Sequence, residues 1–438
     1  MNVLLIGHGA REHAIAKVVR KSRHVPKLFT YGKTKNPGIF YLSEEYYVGD
    51  LNDFTAIKEF ALTNKVDFAI IGPEDPIAAG LADCLEKENI PVIAPLLDAA
   101  QLEASKSFTR NLLKKYQIIG NPKFKVFDKK TKNVKQELKK FFVELNNEFV
   151  VKYDALYGGK GVKVSGAHLN SVEEGIEYAI ECINLCGKVV IEEKLEGEEF
   201  SLIEITDGNS LVRCPVVQDH KRAYENDEGP NTGGMGSYSD ANFSLPFLNE
   251  EDIKEAHQIN EAVVQALYQE IGKRYKGILY GGFIKTAQGV KLIEYNVRFG
   301  DPEVMNILPI LKVDFVDLCF SIINENLKQL SVAFEKLATV CKYVVPQGYP
   351  DKPVKNKKIE LGPIPPNCEI FYGAVHKEKK QLIMDGSRAI AFVGKGKNLA
   401  EAEMMAQKGV ESVSGPVFFR KDIGTAELIQ KRINNIKN

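Results

Sequence analysis

Lys291-Leu292-Ile293-Glu294-Tyr295-Asn296-Val297-Arg298-Phe299-Gly300-Asp301-Pro302-Glu303 has the composition of a strand running into a turn. Strand alternation puts Glu294, Asn296 and Arg298 on one face, with Leu292 further along it, and Ile293, Tyr295 and Val297 on the other. A carboxylate and an amide oxygen two residues apart are hard ligands of the kind that Mg²⁺ or Mn²⁺ takes. Arg298, next in line, is placed to reach a phosphoryl group or a carboxylate. The plainer alternative is the polar face of an exposed hairpin. The order Glu, Asn, Arg directly before a Gly-Asp-Pro turn speaks against it.

Outward from this strand, Ile278–Thr286 and Val290–Val297 flank Ala287-Gln288-Gly289 and predict a hairpin. Strands dominate from Phe200 to Val297 around one long helix, Glu250–Tyr275. Helices Glu303–Leu311 and Phe315–Glu325 follow. Upstream, the apolar strand Phe149–Lys152 ends in lysine. It leads through Tyr153-Asp154-Ala155-Leu156 into Tyr157-Gly158-Gly159-Lys160-Gly161-Val162. Three glycines and a lysine in such a loop can fold over a triphosphate, because glycine lets backbone N–H groups approach and Lys160 meets the charge. No Ser or Thr follows Lys160, so this is not a Walker A loop. Ser171 with Glu174 predicts a capping box for helix Val172–Leu185. Strand Val189–Ile191 then runs into Glu192-Glu193-Lys194-Leu195-Glu196-Gly197-Glu198-Glu199. Backbone near Glu192 and Leu195 suits the polar edge of adenine, and Glu199 suits ribose hydroxyls.

The first hundred residues alternate strand and helix: Val3–Ile6, Arg11–Lys21, Lys27–Thr30, Phe54–Asn64, Phe68–Ile71, Ala78–Glu88 and Val92–Ala94, before a helix at Lys106–Lys115. That pattern predicts a parallel α/β sheet. Gly7-His8-Gly9-Ala10-Arg11-Glu12 joins the first strand to the first helix. Its third glycine position is Glu12 and no carboxylate ends the second strand, so it is not a dinucleotide fingerprint. A helix N-terminus and Arg11 instead predict a small phosphate or carboxylate site. The tail from about Ala338 is read as a separate β-rich piece, with strands near Val340–Val345, Glu369–Val375 and Ala389–Val393 and a helix Leu399–Val413.

The 438 residues allow about two to four domains. Hydrophobic residues make up 44% and charged residues 26%, as in a soluble globular enzyme. Lys plus Arg and Asp plus Glu both number 58, so no global field attracts nucleic acid or an anionic membrane. The Lys-rich run Lys129–Lys140 reads as a solvated face. No apolar stretch reaches the roughly 20 residues of a membrane span, and no secretory leader precedes Val3. Seven scattered cysteines without a Cys-x-x-Cys read as reduced thiols of a cytoplasmic protein.

From Val3 to about Gly424 the chain resembles the phosphoribosylamine–glycine ligase family of ATP-grasp enzymes. The match lies in Leu5–Ala14, Ile71–Pro76, Glu103–Phe108, the glycine loop, Val190–Glu193, Gln218-Asp219-His220-Lys221-Arg222-Ala223, Gly229-Pro230-Asn231-Thr232-Gly233-Gly234-Met235-Gly236, and the strand quoted first. The resemblance implies an N-terminal α/β substrate domain (1–101), a central ATP-grasp domain (102–326, lid about 122–192) and a β-rich C-terminal domain (327–438). It implies that Lys106, Lys152 and Gly158–Val162 hold ATP phosphates, and that Glu192, Leu195 and Glu199 hold adenosine. Glu294 and Asn296 would bind Mg²⁺ or Mn²⁺. Gly9, Arg11, Glu12, Asp219, His220, Lys221, Gly233, Gly234, Met235, Gly236 and Arg298 would hold phosphoribosylamine and glycine, Asp219 and Arg298 with catalytic roles. The expected partners are these small molecules, not nucleic acid or membrane, and the expected state is a monomer or weak homodimer. Ala10, Ala155, Phe371-Tyr372-Gly373-Ala374-Val375 and Gly386-Ser387-Arg388-Ala389-Ile390 depart from the family pattern, which bears on contacts from the tail.

Amide formation through an acyl phosphate needs no protein nucleophile, only positioning and charge neutralisation. Another ATP-grasp carboxylate–amine ligase or carboxylase is the competing enzyme reading. A non-catalytic nucleotide-binding module would not need Lys152, Glu294, Asn296 and Arg298 together.

Overall fold

The computed structural model describes residues 1–157 and 161–437. Gly158, Gly159 and Lys160 of the expected phosphate loop lie outside the described residues. The N-terminal alternation forms a five-stranded parallel sheet in the order Glu45–Val48, Lys27–Gly32, Asn2–Ile6, Phe68–Ile71, Val92–Ile93. Val3, Leu4, Leu5 and Ile6 are all fully buried, as a strand covered on both faces requires. The helix expected over Ala78–Glu88 is instead two, Glu74–Ala78 and Leu81–Glu86, because Gly80 turns left-handed between them at φ 89°.

A four-stranded antiparallel sheet follows in the order Leu211–Arg213, Glu198–Thr206, Gly277–Thr286, Gly289–Asn296. Helix Glu250–Ile271 packs on it and stops at Gly272, which is left-handed. A second four-stranded sheet, Phe124–Asp128, Lys188–Glu193, Phe149–Tyr153 and Val162–Val164, carries helices Val134–Glu144 and Val172–Cys186 over its own core. Phe142 and Phe149 stack at the centre of that core, 3.8 Å apart. The expected capping box is half present: Ser171 accepts from the Glu174 N–H, but the Glu174 carboxylate takes the N–H of Asn170 instead of Ser171. The expected helix Glu303–Leu311 is only Val304–Ile307, continued as a 3₁₀ turn through Pro309.

The C-terminal sheet runs Gln218–Asp219, Gly236–Ser239, Ala338–Pro346, Ile390–Gly396, Cys368–Tyr372. Its first two strands come from the middle of the chain, so the tail is not the self-contained piece that its sequence suggests. The tail also grips the N-terminal sheet. His13 lies between Gly38 and the stacked ring of Tyr372, and its Nδ1 accepts the Tyr372 N–H at 2.9 Å. Burial pushes the His13 pKa down to about 3, so the ring stays neutral and able to accept. Asn36 donates to the Tyr372 carbonyl at 2.7 Å.

Glu369 joins the same seam, bound by Lys17 at 2.5 Å and Lys395 at 2.9 Å. Burial alone would raise its pKa, but Lys17 and Lys395 outweigh that and hold it at about 2, against an ordinary value of 4.5. A carboxyl depressed in the fold stabilises it above the unfolded pKa and loses that contribution as pH falls through the folded one. Glu369→Gln is therefore expected to lower the unfolding free energy at neutral pH by up to about 3 kcal/mol. The gap to the parent should close between pH 4.5 and 2, measured by denaturant unfolding at each pH.

Candidate active site

The pairing of Gly277–Thr286 with Gly289–Asn296 slips by one residue: Gly282 faces Glu294, yet Phe283 faces Leu292. Ile293 is the extra residue of a bulge. Leu292 therefore does not share the face of Glu294, as strict alternation requires, but is fully buried in the core. The bulge also turns the Ile293 carbonyl toward two cations. Arg110 Nη2 donates to it at 2.6 Å and Lys152 Nζ at 3.0 Å. Both cations also hold Glu192: Arg110 through Nε at 2.6 Å and Nη2 at 2.9 Å, Lys152 at 2.7 Å. All three side chains are at least nine-tenths buried. Burial pushes the Lys152 pKa down against the pull of Glu192. Burial would raise that of Glu192, but Arg110 and Lys152 hold it below its ordinary value.

Helix Lys106–Lys115, which carries Arg110, is capped by Ser105, whose hydroxyl accepts the Phe108 N–H. Asp154 accepts from the Ser107 N–H at 2.8 Å and from the Ser107 hydroxyl at 2.5 Å, and Lys106 Nζ reaches the Ala155 carbonyl at 3.4 Å. Tyr153 donates its N–H to the Gly161 carbonyl, and a Cβ on Gly161 would lie 2.7 Å from that of Tyr153. Val162 begins the returning strand. Leu195 sits half-buried in the turn between Lys188–Glu193 and Glu198–Thr206.

Two adjoining recesses share Ile293 and Glu294. Lys106, Arg110 and Glu192 line the first; Glu199, Ser201, Asp219, Lys221 and Tyr280 line the second. Burial would raise the pKa of Glu294, but Lys221, Lys106, Lys152 and Arg298 together hold it below its ordinary value. Lys221 lies 3.2 Å from Glu199, which raises its pKa strongly. Burial and Glu303 push Asp219 well above the carboxylate range, and its Oδ1 has no partner among the described residues. Glu303 stands behind this wall, taking hydrogen bonds from Tyr280 (2.8 Å) and Ser201 (3.2 Å).

Arg298 meets Glu103 at 3.1 Å and Glu74 at 3.3 Å, and donates to Asn296 Oδ1 at 3.2 Å. Arg11 lies 3.6 Å from the same Glu74, whose pKa the two arginines hold at about 2 against the effect of burial. The front turn differs from the anion site expected of it. Glu12 already occupies it, accepting the Gly9 N–H at 2.5 Å and pairing with Arg11 at 2.6 Å. A Cβ on Gly72 would strike that carboxylate. His220 differs as well: strand alternation turns its ring into the interior, 1% exposed, beside Tyr238. Gly234 (φ 111°) passes so close to Asp219 and Pro302 that a Cβ would lie 2.6 Å from each, and Gly236 packs on the Cys341 carbonyl. Met235 is fully buried. Arg388 closes this side, donating to the carbonyls of Gly233 (2.6 Å), Gly234 (3.1 Å) and Asp301 (3.0 Å) while lying over the Tyr343 ring.

Sequence reasoning did not single out Arg110, Glu303, Tyr280 and Ser201. One signal existed: Arg110 sits at a core-facing position before Leu112 and Leu113, where a lone charge implies a buried partner. Ser201 and Tyr280 look like ordinary strand residues.

Two antiparallel sheets that meet at a recessed carboxylate faced by lysines define a nucleotide-dependent enzyme of the ATP-grasp class. The chain belongs to the phosphoribosylglycinamide synthetase family. Its N domain matches residues 1–103, its ATP-grasp (A) domain 104–304 and its C domain 339–426. The phosphoribosylamine–glycine ligase of Methanococcus maripaludis is 49% identical over 446 residues, covering 100% of this chain and 99% of that protein. That of Methanocaldococcus jannaschii is 48% identical over 445 residues, with the same coverage. The crystal structure of a phosphoribosylamine–glycine ligase from Thermotoga maritima superposes with a TM-score of 0.81 at 29% identity, covering 97% of this chain and 100% of that one.

Because Glu192 and Lys152 are more than nine-tenths buried, Arg110→Met is expected to lower the unfolding free energy by roughly 3–5 kcal/mol, as when one partner of a buried ion pair is removed. Arg110→Lys should recover only part of this, since one ammonium cannot reproduce the guanidinium fork. Denaturant unfolding of the two variants checks both.

Proposed function

We propose that this chain joins glycine to 5-phosphoribosylamine at the expense of ATP, giving glycinamide ribonucleotide, ADP and phosphate in purine (IMP) biosynthesis. The observation that carries this reading is near-half identity to phosphoribosylamine–glycine ligases along the whole chain. The convergence of Lys106, Lys152, Lys221 and Arg298 on Glu294 supports it.

The glycine carboxylate attacks the γ-phosphorus, ADP leaves, and glycyl phosphate forms; the amine of phosphoribosylamine then displaces phosphate. Charge spreads over phosphoryl oxygens in the first step and onto the departing phosphate in the second, so fixed cations lower both barriers. Lys106, Lys152 and the loop 158–162 hold the phosphates. Leu195 and Glu199 hold the adenosine, with Glu192 fixing the strand beside it through Arg110. Arg298 is steered by Glu74 and Glu103 toward the glycine and phosphoryl end. Asp219, Lys221 and the backbone of Gly233–Gly236 bound the phosphoribosylamine side.

A divalent cation suits Glu294 and Asn296. The Glu294 carboxylate is held ionised by the cations around it and is recessed, and the Asn296 oxygen lies on the same face, met among the described residues by Arg298. Mg²⁺ or Mn²⁺ bound there would supply Lewis-acid neutralisation of the phosphate oxygens. No helix is long and apolar enough to cross a membrane among the described residues. The reading places the protein in the cytoplasm as a monomer or weak homodimer, in three units over 1–101, 102–326 and 327–438.

ADP release should require Mg²⁺-ATP, glycine and fresh phosphoribosylamine together; release without glycine would overturn the substrate assignment. Glu294→Ala should lower turnover by roughly two orders of magnitude or more, as for loss of one key electrostatic element. Near-parental turnover at saturating Mg²⁺ would remove Glu294 from the metal role.

A further inference from the structure

Glu199 and Asp219, both at the cleft, each follow a residue that points away from it. Glu198 is 4% exposed and Gln218 3%. Behind the cleft these two meet: Gln218 Nε2 donates to the Glu199 carbonyl at 3.0 Å and to Glu198 Oε2 at 3.3 Å, and its Oε1 accepts from the Tyr238 hydroxyl at 2.7 Å. The Glu198 carboxylate is met from the far end of the chain. Helix Ala426–Lys437 brings Asn435 Nδ2 to Oε1 at 2.6 Å and Arg432 Nη1 to Oε2 at 3.4 Å. The other arm of Arg432 donates to Asp227 at 2.6 Å. Asp227 lies at the tip of the hairpin Arg222–Tyr224 and Glu228–Asn231, through which the chain runs from Lys221 to Gly233. Arg420 takes the other oxygen of Asp227 at 3.2 Å, and Lys431 reaches the Asn226 carbonyl at 3.3 Å. All but the first residue of this helix lies past the residues that match the C domain of the family.

We infer that Arg432, seconded by Asn435, is a positioning residue: through Glu198 it sets Glu199 at the ribose end of the nucleotide, and through Asp227 it holds the hairpin that follows Lys221. This rests on the reading of Glu199 as a partner of the ribose hydroxyls. A buried carboxylate that loses its counter-charge must move toward water or take up a proton. Glu198 shares a peptide unit with Glu199, so any outward shift of one displaces the other across the strand. The guanidinium spans Glu198 and Asp227 at once, a reach that one ammonium does not have.

The test compares kcat/KM for ATP and for 2′-deoxy-ATP. Glu199→Gln comes first. If the preference for ATP is unchanged in this variant, the ribose reading itself falls. If the preference drops, Arg432→Met is expected to lower it about tenfold, the worth of one charge-assisted hydrogen bond, with KM for glycine unmoved. Arg432→Lys should retain part of it. The double variant Glu198→Gln/Arg432→Met leaves no unpaired charge at residue 198, so nothing drives residue 199 outward, and it should recover most of the preference lost in Arg432→Met. A folded Arg432→Met or Arg432→Lys that keeps the full parental preference, after Glu199→Gln has lost it, overturns the role of Arg432 alone.

Discussion

The carbonyl oxygen of Ile293 accepts hydrogen bonds from Arg110 and Lys152, and the same two cations hold the carboxylate of Glu192. These charged side chains are all more than nine-tenths buried, so each charge depends on the others. The four residues come from a helix, two strands of the smaller sheet and a strand of the larger one. A single polar knot therefore holds the two sheets at the spacing that makes a cleft between them. It works only because the strand Gly289–Asn296 bulges at Ile293 and frees a carbonyl that a regular ladder would have consumed. The bulge has a second effect, since it re-aims Glu294 into the cleft one residue later.

Around that carboxylate the charges are sorted by neighbourhood. Lysines 106, 152 and 221 gather at Glu294. Arginines 11 and 298 are instead wrapped by Glu12, Glu74 and Glu103. A chain of zero net charge can hold a polyanion in this way without becoming a general attractor for nucleic acid. The carboxylates round the arginines keep them ionised and oriented.

The C-terminal part acts as scaffold for the other two. It accepts two strands from the centre of the chain and pins the Gly233–Gly236 turn with Arg388. It holds the N-terminal sheet through His13, Asn36 and Glu369. The departures from the family pattern at Tyr372 and Gly386–Ile390 fall on these seams. There, what matters is a backbone N–H offered to His13 and a guanidinium laid over Tyr343.

The sequence by itself determined the parallel N-terminal sheet, the Gly277–Asn296 hairpin and the family, because strand and helix periods and turn residues are written locally. It also put Glu294 and Asn296 side by side, since the two share one strand with Arg298 just past its end, while Lys152 joined them only through the family resemblance. Tertiary structure alone decided the bulge at Ile293, the inward turn of His220, the occupation of the front turn by Glu12, and the passage of residues 218–239 into the C-terminal sheet. Each of these depends on a partner distant in sequence: the register against Gly282 and Phe283, the strand Ala338–Pro346, or a charge that must be matched once buried. Local periodicity carries no record of which strand lies alongside, and so none of which polar groups that neighbour leaves to be satisfied.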